Sequence, residues 1–171
     1  MKFYRIKQFM WAAVSKINDE DIKYIVSHLD SEERRLFNLL SVPEQKHSIR
    51  TAHNIENIID ELNSESRKGI NREKMIRVGL LHDIGKIEKK INIFDKSILV
   101  ILNKLTNGKI KRFTGIKKID VYYNHGEKGY NVLSKLEKYD DSFLLMVRKH
   151  HNNDIIVNME LEILIAADSI S

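Results

Sequence analysis

The sequence predicts an all-helical bundle. Pro43 is the single proline and there are only seven glycines among 171 residues, so long stretches are free of helix breakers. Apolar residues recur at intervals of three and four, the helical period. β-branched alternation never persists beside the turn chemistry that a hairpin requires.

Taken in order, Phe3, Ile6, Phe9, Met10, Ala13, Val14 and Ile17 mark an amphipathic first helix with one buried face. Shorter helices follow near 19–28 and 31–40. Pro43 suits the first turn of the next helix, where its missing N–H costs nothing, and Gly69 suits the end; a long helix over about 44–66 results. Further helices are expected near 71–88, 92–107, 116–123, 125–139, 141–151 and 157–170. With neither an internal repeat nor a low-complexity linker, residues 1–171 read as one domain, the helices of 1–42 packed on a core of 43–171.

Cysteine is absent, which excludes a disulfide framework and a thiolate metal site and leaves nitrogen and oxygen as the available ligands. Lys7, Gln8, Ser15 and Lys16 interrupt any secretory signal, so a cytoplasmic location is expected. The longest apolar run, Ile98 to Leu102, is five residues against the ~20 that cross a bilayer. The net charge of +5 is uneven: residues 86–118 hold ten Lys or Arg and two acids, either a lysine-rich solvated face or, if the segment between Asp83 and His125 overhangs the site, a positive field that attracts phosphate-bearing ligands.

The histidines carry the chemistry. His47 precedes Thr51, Ile55 and Ile58 by four, eight and eleven positions and so shares their inward face. Met75, Gly79, His82 and Lys86 form one helical row, with Asp83 beside it. His125 shares a face with Val132 and Leu136, and Gly129 one turn on is expected to spare it crowding. His150 and His151 follow Val147, and either or both can turn inward; Asp168 lies with Leu161, Leu164 and Ile165. Carboxylates and imidazoles on apolar faces are costly to bury unpaired, and a metal satisfies them together. Imidazole with carboxylate suits manganese, iron, cobalt, nickel or zinc. His28 and His53 fall off these stripes and receive no metal role.

The run His47-Ser48-Ile49-Arg50-Thr51-Ala52, then Leu80-Leu81-His82-Asp83-Ile84-Gly85-Lys86, then His125 to Gly129, His150-His151 and Asp168 resembles the HD-domain superfamily of metal-dependent phosphohydrolases. The resemblance spans residues 47 to 168 and implies a helical bundle with the metal site inside it. It also implies one ion on His47, His82, Asp83 and Asp168, and a second on His125 and His150 with Asp83 bridging. His151 is a ligand only in some subfamilies. The Gly-Tyr-Pro signature of the cyclic-dinucleotide branch is missing after His151, where Asn152-Asn153-Asp154-Ile155 stands, so that substrate is not assigned.

The implied reaction is hydrolysis of a phosphomonoester or phosphodiester, of a nucleotide or dinucleotide, by a hydroxide that two divalent ions activate. Lys86 either reaches a phosphate oxygen or is a solvated lysine at a helix end. Arg50 could clamp a phosphate or pair with an acid such as Glu44. A metal-loaded sensor that binds a phosphorylated ligand without turnover is the alternative, and intact ligands argue against it. Nucleic acid is a weaker partner: the lysines lack interleaved aromatics, and Phe94 and Phe113 read as core. Ile91 to Leu105, followed by Lys109, Lys111 and Arg112, reads as core packing ahead of a dimer face or membrane contact. Oligomeric state is left open.

Overall fold

A computed structural model describes residues 16–89, 93–151 and 158–171, with backbone alone at 93, 94, 96 and 97. The amphipathic helix expected over 3–17 lies outside these residues but for its last two. The helices are α1 (Asp19–His28), α2 (Ser31–Phe37), α3 (Val42–Glu61), α4 (Ser64–Arg67), α5 (Arg72–Leu81), α6 (Ile93–Leu105), α7 (Lys117–Leu133), α8 (Asp141–Lys149) and α9 (Met159–Ser169). Three 3₁₀ turns, Ile84–Glu88, Lys109–Arg112 and Ser134–Leu136, join them, and no strand occurs among the described residues.

Local chemistry sets the starts. Asn18, Asp30 and Ser41 open α1, α2 and α3 with capping boxes closed by Asp21, Glu33 and Glu44, each satisfying otherwise orphaned N–H groups. Pro43 sits in the first turn of α3 as expected. That helix ends at Glu61, short of 66, because Leu62 turns extended and Asn63 caps a new single turn.

Two other boundaries differ from expectation. The stretch 71–88 is not one helix: α5 stops at Leu81, and the chain continues from Asp83 as a 3₁₀ turn. Conversely, 116–123 and 125–139 are not two helices but the single α7, followed by the turn Ser134–Leu136.

The main core gathers Ile49, Ile55 and Ile59 of α3, Met75, Leu80 and Leu81 of α5, Met146 and Val147 of α8, and Leu161 and Leu164 of α9. Ile25, Leu29, Phe37 and Leu40 from the first helices join it. Ion pairs reinforce this docking: Lys46 Nζ lies 2.8 Å from Asp21, Arg77 2.5 Å from Glu33, and Lys138 2.6 Å from Asp30.

Helices cross closely where a side chain is missing. A Cβ on Gly79 would lie 2.7 Å from Ile55 Cδ1 and 3.0 Å from Ala52 Cα, so α5 rests almost on the α3 backbone. A Cβ on Gly85 would lie 2.0 Å from the His125 carbonyl oxygen, which brings the turn after Asp83 against α7. Gly129 was expected to clear space for His125. Its missing Cβ instead admits Val147 Cγ1, at 2.9 Å, and the Gly85 nitrogen, at 3.3 Å.

Candidate metal centre

Six elements deliver their chemistry to one point inside the bundle. His47 comes from the second turn of α3 and His82 from the residue that ends α5. Asp83 and Lys86 come from the 3₁₀ turn, His125 from mid-α7, His150 from the end of α8, and Asp168 from the last turn of α9. The break after Leu81 matters, because it swings Asp83 out of the α5 spiral toward α7.

Three imidazoles are oriented in the same way. Nδ1 of His82 lies 2.8 Å from the Gly79 carbonyl, that of His125 3.0 Å from Tyr122, and that of His150 2.7 Å from Val147. A carbonyl only accepts, so each Nδ1 carries the proton and donates, leaving the Nε2 lone pair aimed inward. All three rings are buried.

Asp83 stands at the middle, and its two oxygens face different groups. Oδ2 lies 3.5 Å from His47 Nε2 and 3.6 Å from His82 Nε2; Oδ1 lies 3.2 Å from His125 Nε2 and 3.8 Å from His150 Nε2. Asp168 Oδ1 adds to the first group, 2.8 Å from His47 Nε2 and 3.5 Å from His82 Nε2. Two sets of side chains thereby share Asp83: His47 with His82, and His125 with His150 and His151.

These donors fit a divalent cation. Nε2 of His82, His125 and His150 and Oδ1 of Asp83 are buried with no hydrogen-bond partner, four orphaned polar atoms around one carboxylate. Ligands ~2.1 Å from a common ion are separated by roughly 3.0 to 3.4 Å, and the donor spacings here bracket that range.

The electrostatics agree. Burial pushes the Asp83 carboxyl up, but Lys86 and His82 outweigh it and hold the group ionised, well below the usual carboxylate range. Burial also pushes Asp168 up, but the hydrogen bond from His47 and the nearby His82 ring reverse this and hold the group below the usual carboxylate range. Burial, together with the Lys86 charge, lowers His125 to about 4, which keeps its ring neutral at pH 7.

Lys86 is not the solvated lysine of one sequence reading. It is 8% exposed and its ammonium pairs directly with Asp83 Oδ2. His151 is set apart from the buried histidines: its side chain is 54% exposed, with Nδ1 3.9 Å from Asp168 Oδ2 and its ring against His125 and His150. Arg50 is partly buried one turn along α3 from His47.

The two histidines without an assigned role lie elsewhere. His28 Nδ1 is 3.0 Å from Glu73, His53 Nδ1 is 3.1 Å from Glu56, and both rings pack on Tyr24.

Two residues beside the centre carry no site role expected from the sequence, which offers Glu44 only as a partner for Arg50. Glu44 is buried, acts electrostatically on Lys86, and has an Oε1 without a hydrogen-bond partner; Ser48 Oγ, beside His47, is also buried and unpartnered. The Ser41-to-Glu44 spacing is a legible capping box, and it accounts for only one of the two glutamate oxygens.

This arrangement agrees with a comparison across families. The HD domain matches residues 45–171, and the chain belongs to that family. HD domains are in general hydrolase-like and bind divalent metals, and the Asp83 clusters are candidate seats for such ions. No match was found among curated proteins or among solved structures.

Proposed function

We propose that the protein hydrolyses a phosphate ester of a small molecule, a nucleotide or dinucleotide, using two divalent transition-metal ions. His47, His82, Asp83 and Asp168 would hold one ion, and Asp83, His125 and His150 the other, with His151 at the exposed rim. The observation that carries the reading is the division of Asp83, one oxygen facing each histidine group. When bound, the ions supply Lewis acidity toward the phosphate and a water activated for attack.

The chain's own groups do the rest. The Nδ1–H bonds to carbonyls hold three imidazoles in register. Lys86 and Arg50 offer positive charge to substrate oxygens, and Lys86 offsets charge on the carboxylate beside it. We read the chain as one domain, a reading supported by α1 and α2 sharing the main core with the matched region. We read it as a cytoplasmic protein; among the described residues no helix is long and apolar enough to cross a membrane.

The test is a screen of nucleotides, dinucleotides and an artificial phosphodiester against protein loaded separately with manganese, iron, cobalt, nickel or zinc. Turnover by the wild type that Asp83→Ala abolishes is expected, with two ions per chain by elemental analysis. His125→Ala and His150→Ala should fall toward one ion, while His28→Ala and His53→Ala stay at two. Retained metal with no turnover on any substrate would instead make the protein a sensor that binds a phosphorylated ligand.

A further inference from the structure

On α6, Ile98, Ile101, Leu102 and Leu105 fall at i, i+3, i+4 and i+7, one stripe of the helix, and are 54, 57, 38 and 74% exposed. The core role expected for this segment falls to Leu99, which turns the other way into a small cluster with Ile110, Ile119 and Val121. Phe113, also expected in the core, and Ile116 are exposed on the connection to α7. Large exposed apolar patches mark interaction sites.

The charge around the stripe is one-sided. Residues 96–118 contain seven Lys or Arg and no acid. Lys104, Lys109, Lys111 and Arg112 are exposed and make no ion pair among the described residues. By contrast, the exposed Ile22 and Val26 on α1 follow three acids, Asp19, Glu20 and Asp21.

We propose that this face, α6 with the Lys109–Arg112 turn, docks onto an anionic lipid bilayer. An amphipathic helix lying in the interface sinks its apolar stripe to the acyl boundary while lysines meet the headgroup phosphates, the combination found here. Charge decides against an occupant from this chain. A second copy would bring two basic faces together, and residues 1–16 carry Lys2, Arg5, Lys7 and Lys16 with no acid, so they repel the patch as well. Nucleic acid would match the charge, but among its described residues the face offers one exposed ring, Phe113, beside four aliphatic side chains that base stacking would leave without a role. The proposal is independent of the metal centre.

Vesicle co-sedimentation of the full chain tests it, with phosphatidylcholine vesicles containing or lacking phosphatidylglycerol. The wild type should pellet with the anionic vesicles only, and salt should release it. The double variant Ile101→Ser/Leu105→Ser should bind about tenfold more weakly. Lys109→Glu/Lys111→Glu should abolish the preference for anionic lipid, and Ile22→Ser/Val26→Ser should change nothing. All replaced side chains are exposed, and a helical circular dichroism spectrum checks each fold. Absence of sedimentation, or undiminished binding by the Ile101→Ser/Leu105→Ser variant, would overturn the proposal. So would a concentration-dependent dimer that this variant dissolves, or duplex DNA binding that the lysine variant alone removes.

Discussion

At the scale of single residues, Lys86 and Asp83 form the most consequential pair. An ammonium on Asp83 Oδ2 neutralises a fully buried carboxylate, and breaking a buried pair by removing one partner costs about 3–5 kcal/mol. Lys86→Met should therefore lose about that much stability in the presence of a chelator. A divalent ion can replace the missing charge, so metal excess should restore more stability to this variant than it adds to the wild type. Urea unfolding of both proteins with and without manganese measures the difference; equal gains would separate Lys86 from the metal-facing charge of Asp83. Much of this site was legible in residue order, because imidazole and carboxylate on apolar stripes have few uses. The burial of Lys86 was not. Its position one turn beyond His82 fits a solvated helix end equally well, and only the break after Leu81 distinguishes the two.

At the scale of elements, the break and the crossing that follows are set by backbone contact. Gly85 lies where a Cβ would meet the α7 main chain, which no rotamer change relieves. Gly85→Ala should cost about 1–3 kcal/mol or more and displace Asp83 from His125, lowering metal content as well. Gly69→Ala, with nothing within 4 Å of the added carbon, should be close to neutral. Denaturant midpoints and elemental analysis of the two variants check this. The same contact explains why periodicity over 71–88 overran: the apolar row continues past Leu81, while the reason for the break lies in α7, forty residues away.

A pH dependence belongs to α2. Partial desolvation pushes its cap Asp30 up, but Lys138 and the Glu33 and Glu32 N–H groups outweigh it and hold the carboxyl at about 2. A lowered folded value stabilises above the ordinary value of 3.8 and is lost as pH falls toward 2. The stability gap between wild type and Asp30→Asn, which keeps a capping oxygen, should narrow between about pH 5 and pH 3 in urea titrations. A gap that holds constant would mean the charge contributes nothing.

For the whole molecule, metal loading and folding are linked, because the orphaned atoms of His82, Asp83, His125 and His150 come from three separate stretches of chain that only the fold assembles. An ion at a hundredfold excess over its dissociation constant adds about 2.7 kcal/mol, which in a chain of this size raises the melting temperature by roughly 5–10 °C. Differential scanning calorimetry should show that rise in the wild type and its loss in Asp83→Ala. The helical class was readable throughout because breakers are scarce, yet the division of the core into two clusters was not, since the periodicity of α6 does not say which of its faces finds a partner. That division has a dynamic consequence. Leu99, Ile110, Ile119 and Val121 form a cluster of only four buried side chains, set apart from the main core, and of these only Leu99 comes from α6. Amide exchange should therefore be faster in α6 than in α3 and α5, whose side chains pack in the main core.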